Sequence, residues 1–345
     1  MADKASTKLQ IEKIVNDVLA TIEREREREI VSRRFGLFDR KETLEQIGEL
    51  LGITRERLRH LEKAVVTRLR QAANEGKLPH ITEVQEAFIA ELDNLGHIAR
   101  VPELAGKITE ENTRLDQARV AFLAELSPDL IVISDNDHYH HAVGKGSKHD
   151  DKQAVALVDD VVNAIKKIAE PIEIEPIAKE AKIEENAHAA ALASVSKNLA
   201  TLNNRWGLIK WPTVNPKNIR DKIYVILKEQ GKHMHFSEIS EAIKGSSFKR
   251  KDVTTQAIHN ELIKDKRFVL IGRGIYALKE WGYKKGTVAD IITEVLQKAG
   301  EPLHRDEIVK RVLKSRYVKE TTILLNLQGK QQFKRVAKAT YTLAD

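Results

Sequence analysis

Five polar side chains near residue 60 combine, at helical spacing, the functional groups that proteins use to contact nucleic acids. Arg55, Glu56, Arg59, His60 and Lys63 supply guanidinium, carboxylate, imidazole and ammonium groups. An arginine can donate two hydrogen bonds to a guanine edge, a carboxylate can accept one from the cytosine amino group, and a lysine can neutralise a phosphate. The predicted chemistry is therefore recognition rather than the breaking of a bond.

A second group of polar residues, in the middle of the chain, has spacings that could suit a metal ion. These residues are His138, His140, His141, His149 and Asp150. Imidazoles two and three residues apart, joined by a carboxylate, can approach one cation. The same segment predicts a β-hairpin, however, on which His138 and His140 face one side and His141 the other. We expect no metal site and no cofactor.

Catalytic patterns are absent from the sequence. The chain has no cysteine, which excludes thiol catalysis and cysteine zinc sites. The glycine-containing turns at residues 144–148 and 271–276 lack the strand, loop and helix context and the Gly-Lys-Ser/Thr ending of a phosphate-binding loop. No Gly-x-Ser-x-Gly elbow and no acidic cluster typical of a nuclease is present. The sequence predicts that the protein is not an enzyme.

Charge is distributed unevenly along the chain. The formal net charge is +7, of which residues 1–80 contribute +3, residues 81–216 contribute −8 and residues 217–345 contribute +12. A basic segment of this size is typical of proteins that bind a phosphate backbone, although an acidic protein or an anionic lipid would also suit it. Double-stranded DNA is the predicted partner.

Composition indicates a globular protein of two to three average domains. Of its 345 residues, 41% are hydrophobic and 32% are charged, which is enough to build cores. No apolar run approaches the length of about eighteen residues that a membrane span needs, and the first residues lack the apolar stretch of a signal peptide. The sequence therefore predicts a cytoplasmic, nucleoid-associated protein with no membrane partner. It leaves the oligomeric state open.

A helix-turn-helix is predicted over residues 43–71. Thr43 and Gln46 form a capping-box pattern ahead of a short apolar helix, and Gly52 suits a tight turn. Thr54 can cap a second helix with a regular apolar stripe. That second helix presents the five polar side chains near residue 60. An ordinary helical hairpin with a charged face is the alternative.

An internal repeat organises the C-terminal part of the chain. Residues 267–278 and 332–343 each read as an apolar β-run, a polar turn and a second β-run, with a tyrosine eight residues after a phenylalanine. Three helical segments precede each hairpin. This order is that of a winged helix, in which the third helix can enter a groove and the hairpin is the wing. The spaced pairs are Phe268 with Tyr276, and Phe333 with Tyr341.

The third helix and the wing of each basic repeat carry the predicted DNA contacts in the C-terminal part. In the first copy these residues are Thr254, Thr255, Gln256, His259 and Arg273. In the second copy they are Lys319, Thr321, Thr322, Asn326, Lys334 and Arg335. All are polar or cationic, so a solvated face is the alternative for any one of them.

The same order can be traced twice more in the acidic middle. A linker helix rich in alanine and glutamate over residues 171–200 is the competing interpretation there. With four winged helix copies and the helix-turn-helix, the chain has five predicted segments. They are a helix-turn-helix at 1–78, possible winged helices at 79–148 and 149–214, and basic winged helices at 215–283 and 284–345.

Residues 25–37, EREREIVSRRFGL, together with residues 43–70, resemble region four of bacterial primary sigma factors, the domain that reads promoters. The resemblance implies that Arg55 and Glu56 read bases of the upstream promoter element, and that Arg59 and Thr43 contact the backbone. His60 stands where the family usually has glutamine. Nothing in the chain resembles the sigma domain that melts the other promoter element.

The two C-terminal repeats resemble the HARE-HTH family of winged helix domains, one of which forms the folded part of the delta subunit of bacterial RNA polymerase. The Arg-Gly-x-Tyr-x-Leu pattern of residues 273–278 carries the resemblance. Unlike delta, this chain has no long acidic tail.

Together these features predict a mainly α fold of tandem helix-turn-helix and winged helix modules with short β-hairpin wings. The predicted function is a regulator of transcription that binds double-stranded DNA. One alternative is an accessory subunit that contacts the RNA polymerase core through the opposite face of the helix-turn-helix. The other is an architectural protein of the nucleoid that binds DNA without base discrimination.

Overall fold

The computed structural model describes residues 8–248, 250 and 252–344. Over these residues sixteen α-helices accompany small antiparallel sheets, and helices make up 55% of the structure. The predicted fold class is confirmed. Contacts divide the chain into two compact units, Met1–Lys210 and Trp211–Asp345. Within the described ranges no helix is both long and apolar enough to cross a membrane.

The first unit begins with a helix and a helix-turn-helix. These elements are α1 (Ile11–Ala20), α2 (Glu25–Phe35), α3 (Leu44–Leu51) and α4 (Arg55–Asn74). Thr43 forms the predicted capping box with Gln46, and Thr54 accepts a hydrogen bond from the backbone of the first turn of α4. Gly52 ends α3 at a φ of +62°, a conformation that favours glycine. Fully buried Ile47 and Leu58 hold α3 against α4.

The first winged helix follows directly. It comprises α5 (Ile81–Asn94), β1 (Ile98–Arg100), α6 (Val101–Ile108), α7 (Arg114–Leu126), β2 (Leu130–Ile133) and β3 (Ala142–Lys145). The strand order is β1-β3-β2, so the central strand β3 pairs with both neighbours. Gly144 lies opposite Ile98 on one side and Ile131 on the other, where a Cβ would crowd the Ile131 side chain at 3.0 Å.

The histidines at 138–141 lie in the loop between β2 and β3, so their predicted alternation along a strand is wrong. The His140 amide donates to the Val195 carbonyl at 2.8 Å, and the His138 carbonyl accepts from the Lys197 amide at 2.8 Å. The loop therefore pairs with residues 195–197 inside the next module instead of pairing across its own hairpin.

The second winged helix comprises α8 (Asp151–Ile168), α9 (Ile174–Glu180), α10 (Asn186–Val195), β4 (Leu199–Leu202) and β5 (Arg205–Leu208). Ile172 bridges Trp206 through two backbone hydrogen bonds of 3.1 and 2.7 Å, where the other modules have a short strand. Two helices separated by a turn occupy residues 174–195 in place of the single linker helix that was the competing interpretation.

The second unit contains two winged helices with the same element order. The first has α11 (Ile219–Gln230), β6 (Met234–His235), α12 (Phe236–Gly245), α13 (Thr255–Lys264), β7 (Phe268–Gly272) and β8 (Ile275–Leu278). The second has α14 (Val288–Ala299), β9 (Leu303–His304), α15 (Arg305–Leu313), α16 (Glu320–Gly329), β10 (Phe333–Ala337) and β11 (Thr340–Leu343). Their strand orders are β6-β8-β7 and β9-β11-β10. The spaced phenylalanine and tyrosine residues are buried in both copies.

The core of the first unit joins the helix-turn-helix to the first winged helix. Fully buried Phe122, on α7, packs edge to face against Phe35 of α2, with ring centroids 4.9 Å apart. Residues from α1, α2, α4, α5, α6 and α7 share this one apolar cluster. The helix-turn-helix is therefore held on α7 and is not a freely tethered domain.

A histidine pair lies where α10 packs against the turn before β1. The Nδ1 of buried His188 lies 2.7 Å from the Gly96 carbonyl oxygen, so Nδ1 carries a proton and donates it. The Nε2 of the same ring lies 3.2 Å from Nε2 of His149, and only one of those nitrogens can donate. Gly96 has a φ of +89°, and a Cβ there would lie 2.5 Å from the Ala187 carbonyl oxygen. This contact leaves no room for a side chain at Gly96.

Charged groups surround the pair. His97 lies between two carboxylates, with Nδ1 3.0 Å from Asp93 and Nε2 3.1 Å from Glu185. Lys145 lies 2.6 Å from Asp93, and Lys148 lies 3.6 Å from Glu185. The carboxylates are thus already paired with cations, so a further proton on the histidine pair would be poorly compensated.

We expect acid to loosen this contact. Burial lowers the pKa of both His149 and His188 below the ordinary histidine value of 6.5. The unfolded chain therefore takes up protons more readily, and the stabilisation is complete above about pH 6.5 and is lost as the pH falls below it. Thermal unfolding between about pH 7.5 and 5.5 measures this loss. H149Q should show a shallower decline, whereas H304Q, at an exposed position in the other unit, should follow the wild type.

Candidate nucleic-acid interface

The N-terminal half of α4 presents the predicted contact residues to solvent. Arg55, Glu56, Arg59, His60 and Lys63 are all exposed and lie on the first three turns of the helix. The cap at its start and the buried stripe beneath it fix the helix, so the five side chains share one surface. Such a surface has the position of a recognition helix, whose first turns meet base edges in the major groove.

Three of the four basic side chains on this surface are already paired with acids. Arg55 Nη1 lies 2.8 Å from Glu45, Arg59 Nη2 lies 2.6 Å from Glu56, and His60 Nε2 lies 3.0 Å from Glu56. The hydrogen bond from Arg59 lowers the pKa of the Glu56 carboxyl, which keeps it ionised. Because these pairs are exposed to water and salt, a phosphate or a base edge can replace the acid partner at low cost.

Thr43 is exposed at the start of α3, and its hydroxyl accepts from the Gln46 amide at 3.3 Å as a helix cap. Arg57 is also exposed on the first turn of α4 and was not among the predicted contacts. Its position three residues after the cap Thr54 could have indicated a DNA contact, because the first turn of a recognition helix faces the groove.

The face of the helix-turn-helix opposite the exposed side of α4 is buried within the chain. Leu37, Val65 and Leu69 are at most 5% exposed and belong to the core shared with α1 and α7. Arg119 of α7 donates from Nε to the Leu37 carbonyl at 2.9 Å, and its Nη1 lies 2.9 Å from Glu12 of α1. This face is therefore occupied by the protein itself.

The third helices of the first two winged helices are also buried. Every residue of α7 except Arg114 is buried or half-buried. In α10 only the first two residues, Asn186 and Ala187, are exposed. Neither helix can enter a DNA groove without leaving the core of the first unit.

The third helices of the second unit are open. On α13, Gln256, Asn260, Ile263 and Lys264 are exposed, and Gln256 Nε2 donates to Asn260 Oδ1 at 3.1 Å. Ile263 is 61% exposed although it is apolar. The four modules thus fall into two classes, with the buried third helices in the acidic middle and the open ones in the basic C-terminal part.

Other predicted residues of α13 have structural contacts as well. Thr254 caps the helix by accepting from a backbone N–H at 3.2 Å, and remains exposed. The Thr255 hydroxyl lies 3.3 Å from that of Ser240 on α12 and is half-buried. The His259 ring packs 4.9 Å from that of Phe236, so it lies partly inside the module.

On α16 the predicted residues divide in the same way. Lys319 and Thr321 are exposed at the start of the helix, next to Leu325, which is 68% exposed. Thr322 and Asn326 are half-buried, and the Asn326 side chain donates to the Thr322 carbonyl at 2.7 Å. The open surface of this helix is therefore its first turn and the stripe through Leu325.

The wings carry exposed cations. Arg273 occupies the tip of the hairpin between β7 and β8, and Lys334 and Arg335 lie on β10. Arg335 Nε donates to the Ala337 carbonyl at 3.1 Å. These positions suit contacts with a phosphate backbone, since each side chain has a cationic head in solvent.

The described parts of the chain contain no group of three or more histidine, cysteine, aspartate or glutamate side chains arranged to hold a metal ion. Of the residues considered from sequence, His149 instead contacts His188, and Asp150 caps α8 by accepting from the Gln153 amide at 2.8 Å. Burial lowers the pKa of His140 and His141.

Residues 24–71 match the family described as Sigma-70, region 4. An 83-residue stretch is 40% identical to the RNA polymerase sigma factor SigA of a Bacillus species, covering 24% of this chain and 22% of that protein. The chain thus spans about a fifth of the length of this curated relative. Sigma-70 region 4 is a DNA-binding helix-turn-helix module of transcription factors, so the resemblance of residues 25–70 is confirmed.

Proposed function

We propose that this protein is a regulator of transcription that binds double-stranded DNA through its helix-turn-helix and its two C-terminal winged helices. The observation that carries the proposal is α4. It exposes arginine, glutamate, histidine and lysine side chains on the surface of a segment that matches Sigma-70, region 4. Arg55 and Glu56 would read bases and Arg59, Lys63 and Thr43 would hold the backbone.

The C-terminal contribution rests on charge and on open third helices. Residues 217–345 hold 27 basic and 15 acidic residues, and α13 and α16 are both accessible. Their resemblance to the HARE-HTH family stays part of this proposal. Lysine and arginine contacts would supply affinity through the release of counterions from DNA. The acidic middle modules, whose third helices are buried, would act as a rigid support for the helix-turn-helix.

An accessory subunit of RNA polymerase is the second candidate, because the curated relative is a polymerase sigma factor. Docking through the face opposite α4 would require a surface that α1 and α7 already cover. Contact with the polymerase core would therefore have to use another part of the molecule. This geometry supports DNA binding more directly than it supports polymerase docking.

Fluorescence anisotropy of a labelled duplex of about 30 bp, titrated with the full chain over a salt series, tests the proposal. We expect binding that weakens with salt at a log–log slope of about −4 or steeper, which corresponds to about five phosphate contacts. Absence of binding at about 50–100 mM salt would overturn the DNA proposal and leave the polymerase candidate.

Base reading by α4 can be tested separately. Selection from a random duplex library should enrich a motif with the wild type, and R55A/R59A should enrich none, because losing a bidentate base contact costs about 1–3 kcal/mol of discrimination. Lys13→Ala/Lys152→Ala removes two cations from α1 and α8 and is the matched control. If the wild type enriches no motif but binds duplexes tightly, the architectural alternative is correct instead.

A further inference from the structure

The turn before α16 lies on the edge of the preceding module's wing. Strand β7 is an outer strand of its sheet, with an edge not used by β8. Arg316 Nη1 donates to the Leu270 carbonyl at 2.9 Å, and the Tyr317 amide donates to the Ile271 carbonyl at 3.2 Å. Edge carbonyls of this kind would otherwise face water or another chain. The two modules of the second unit are therefore joined by one backbone hydrogen bond and by one from the Arg316 side chain.

Side chains complete this joint. The Tyr317 ring stacks at a tilt on His233, with centroids 4.3 Å apart. At Gly272 a Cβ would lie 3.1 Å from the Tyr317 carbonyl oxygen, so the close approach depends on the missing side chain. The Lys284 amide reaches the Ser315 carbonyl at 3.5 Å. The joint thus combines a ring contact, a close backbone approach and a further backbone hydrogen bond.

The internal repeat provides a comparison for the joint. Both wings shift register at the third residue after the phenylalanine, which is Ile271 in the first copy and Val336 in the second. Ile271 is fully buried, whereas Val336 is 47% exposed. The same position of the hairpin is thus covered in the first copy, where the turn before α16 lies against it, and open in the second. The Ile271 side chain packs with Val269 and Ala277 against Trp281 and Tyr283, and its carbonyl accepts the Tyr317 amide.

The joint places a wing beside a third helix. Arg273, at the tip of the wing, directly follows Gly272, and Lys319, at the start of α16, comes two residues after Tyr317. Gly272 lies close to the Tyr317 backbone, so the chain segments that carry the two exposed cations are neighbours. Tyr317 itself is 52% exposed.

We propose that the wing of the third winged helix and the third helix of the fourth form one continuous surface for duplex DNA. The proposal rests on the proposed function and adds that the two modules bind as one rigid body. DNA is the partner that the charge favours, because exposed cations lie on both sides of the joint in a segment of net charge +12. A rigid pair loses less conformational entropy on binding than two tethered modules do.

The joint can be weakened without removing charge. Y317A should lower the affinity of the full chain for a duplex of about 30 bp by about tenfold, because the wing and α16 are no longer held together before binding. Y317F, which keeps the ring on His233, should restore binding. Y224A, which removes a ring on α11 that contacts Arg267 and Lys228, is the matched control. Circular dichroism and thermal unfolding verify that each variant folds.

A double-mutant cycle supplies the second measurement. R273Q and K319Q should each lower the salt slope by about 0.9, and R273Q should cost several-fold less affinity in the Y317A background than in the wild type. If Y317A binds as the wild type does and the effects of R273Q and Y317A are additive, the modules act independently. That result overturns the continuous surface but leaves the proposed function standing. If the wild type shows no salt-dependent binding, the proposed function fails as well.

Discussion

Replacing Phe122 with alanine is expected to lower the free energy of unfolding of the first unit by about 3–5 kcal/mol. The ring is fully buried on α7 and contacts Phe35 of α2 edge to face. Its removal leaves a cavity at the centre of the cluster that α1, α2, α4 and α7 share, and the surrounding helices can close it only in part. Chemical denaturation of the full chain measures the loss.

The cavity should also change hydrogen exchange beyond α7. Because Phe122 joins the helix-turn-helix to the first winged helix, hydrogen exchange should accelerate in α4 as well as in α7. F268A, which removes an equally buried ring from the second unit, is the control and should leave α4 protected. If F122A accelerates exchange in α7 alone, the helix-turn-helix folds independently and is not held by the winged helix as the structure indicates.

The sequence predicted the helices of the fold but not the contacts between distant segments. Local periodicity and caps were enough to place the helices, since Thr43, Gly52 and Thr54 act where the chain itself turns. The two-residue strands β6 and β9 were not predicted, because only pairing with β8 and β11 makes them strands. The loop at 134–141 was misassigned for the same reason, since its partners are Val195 and Lys197, more than fifty residues away.

In the candidate site, too, features of a single helix were predictable from the sequence and contacts between elements were not. The five residues of α4 were predictable because a cap and an apolar stripe determine which face of a single helix is open. Burial of α7 was not, since Arg119 reads as a surface residue and is buried only because Leu37, Glu12 and Asp116 receive its hydrogen bonds and charge. The joint at Arg316 and Tyr317 depends on two modules meeting, and residue types carry no signal of that contact.

Neutralising four exposed cations of the second unit should have the largest effect on DNA binding. The quadruple variant R273Q/K319Q/K334Q/R335Q removes the four cations predicted to contact DNA on the two wings and at the start of α16, all of which are exposed. Each phosphate contact contributes about 0.9 to the salt slope, so four lost contacts should reduce the slope by about 3 to 4. At about 100 mM salt this change should weaken binding by about 100-fold or more.

The matched control removes the same number of positive charges from a different part of the surface. K217Q/K228Q/K279Q/K298Q also removes four exposed cations, but all four lie outside the third helices and the wing tips. Lys217 precedes α11, Lys228 lies on α11, Lys279 follows β8 and Lys298 lies on α14. A surface that contacts phosphates directly requires the first variant to lose far more affinity and slope than the second, because counterions are released only where a cation meets the backbone. Equal losses would mean that the overall charge attracts DNA with no defined face, and the open third helices would then have no part in binding.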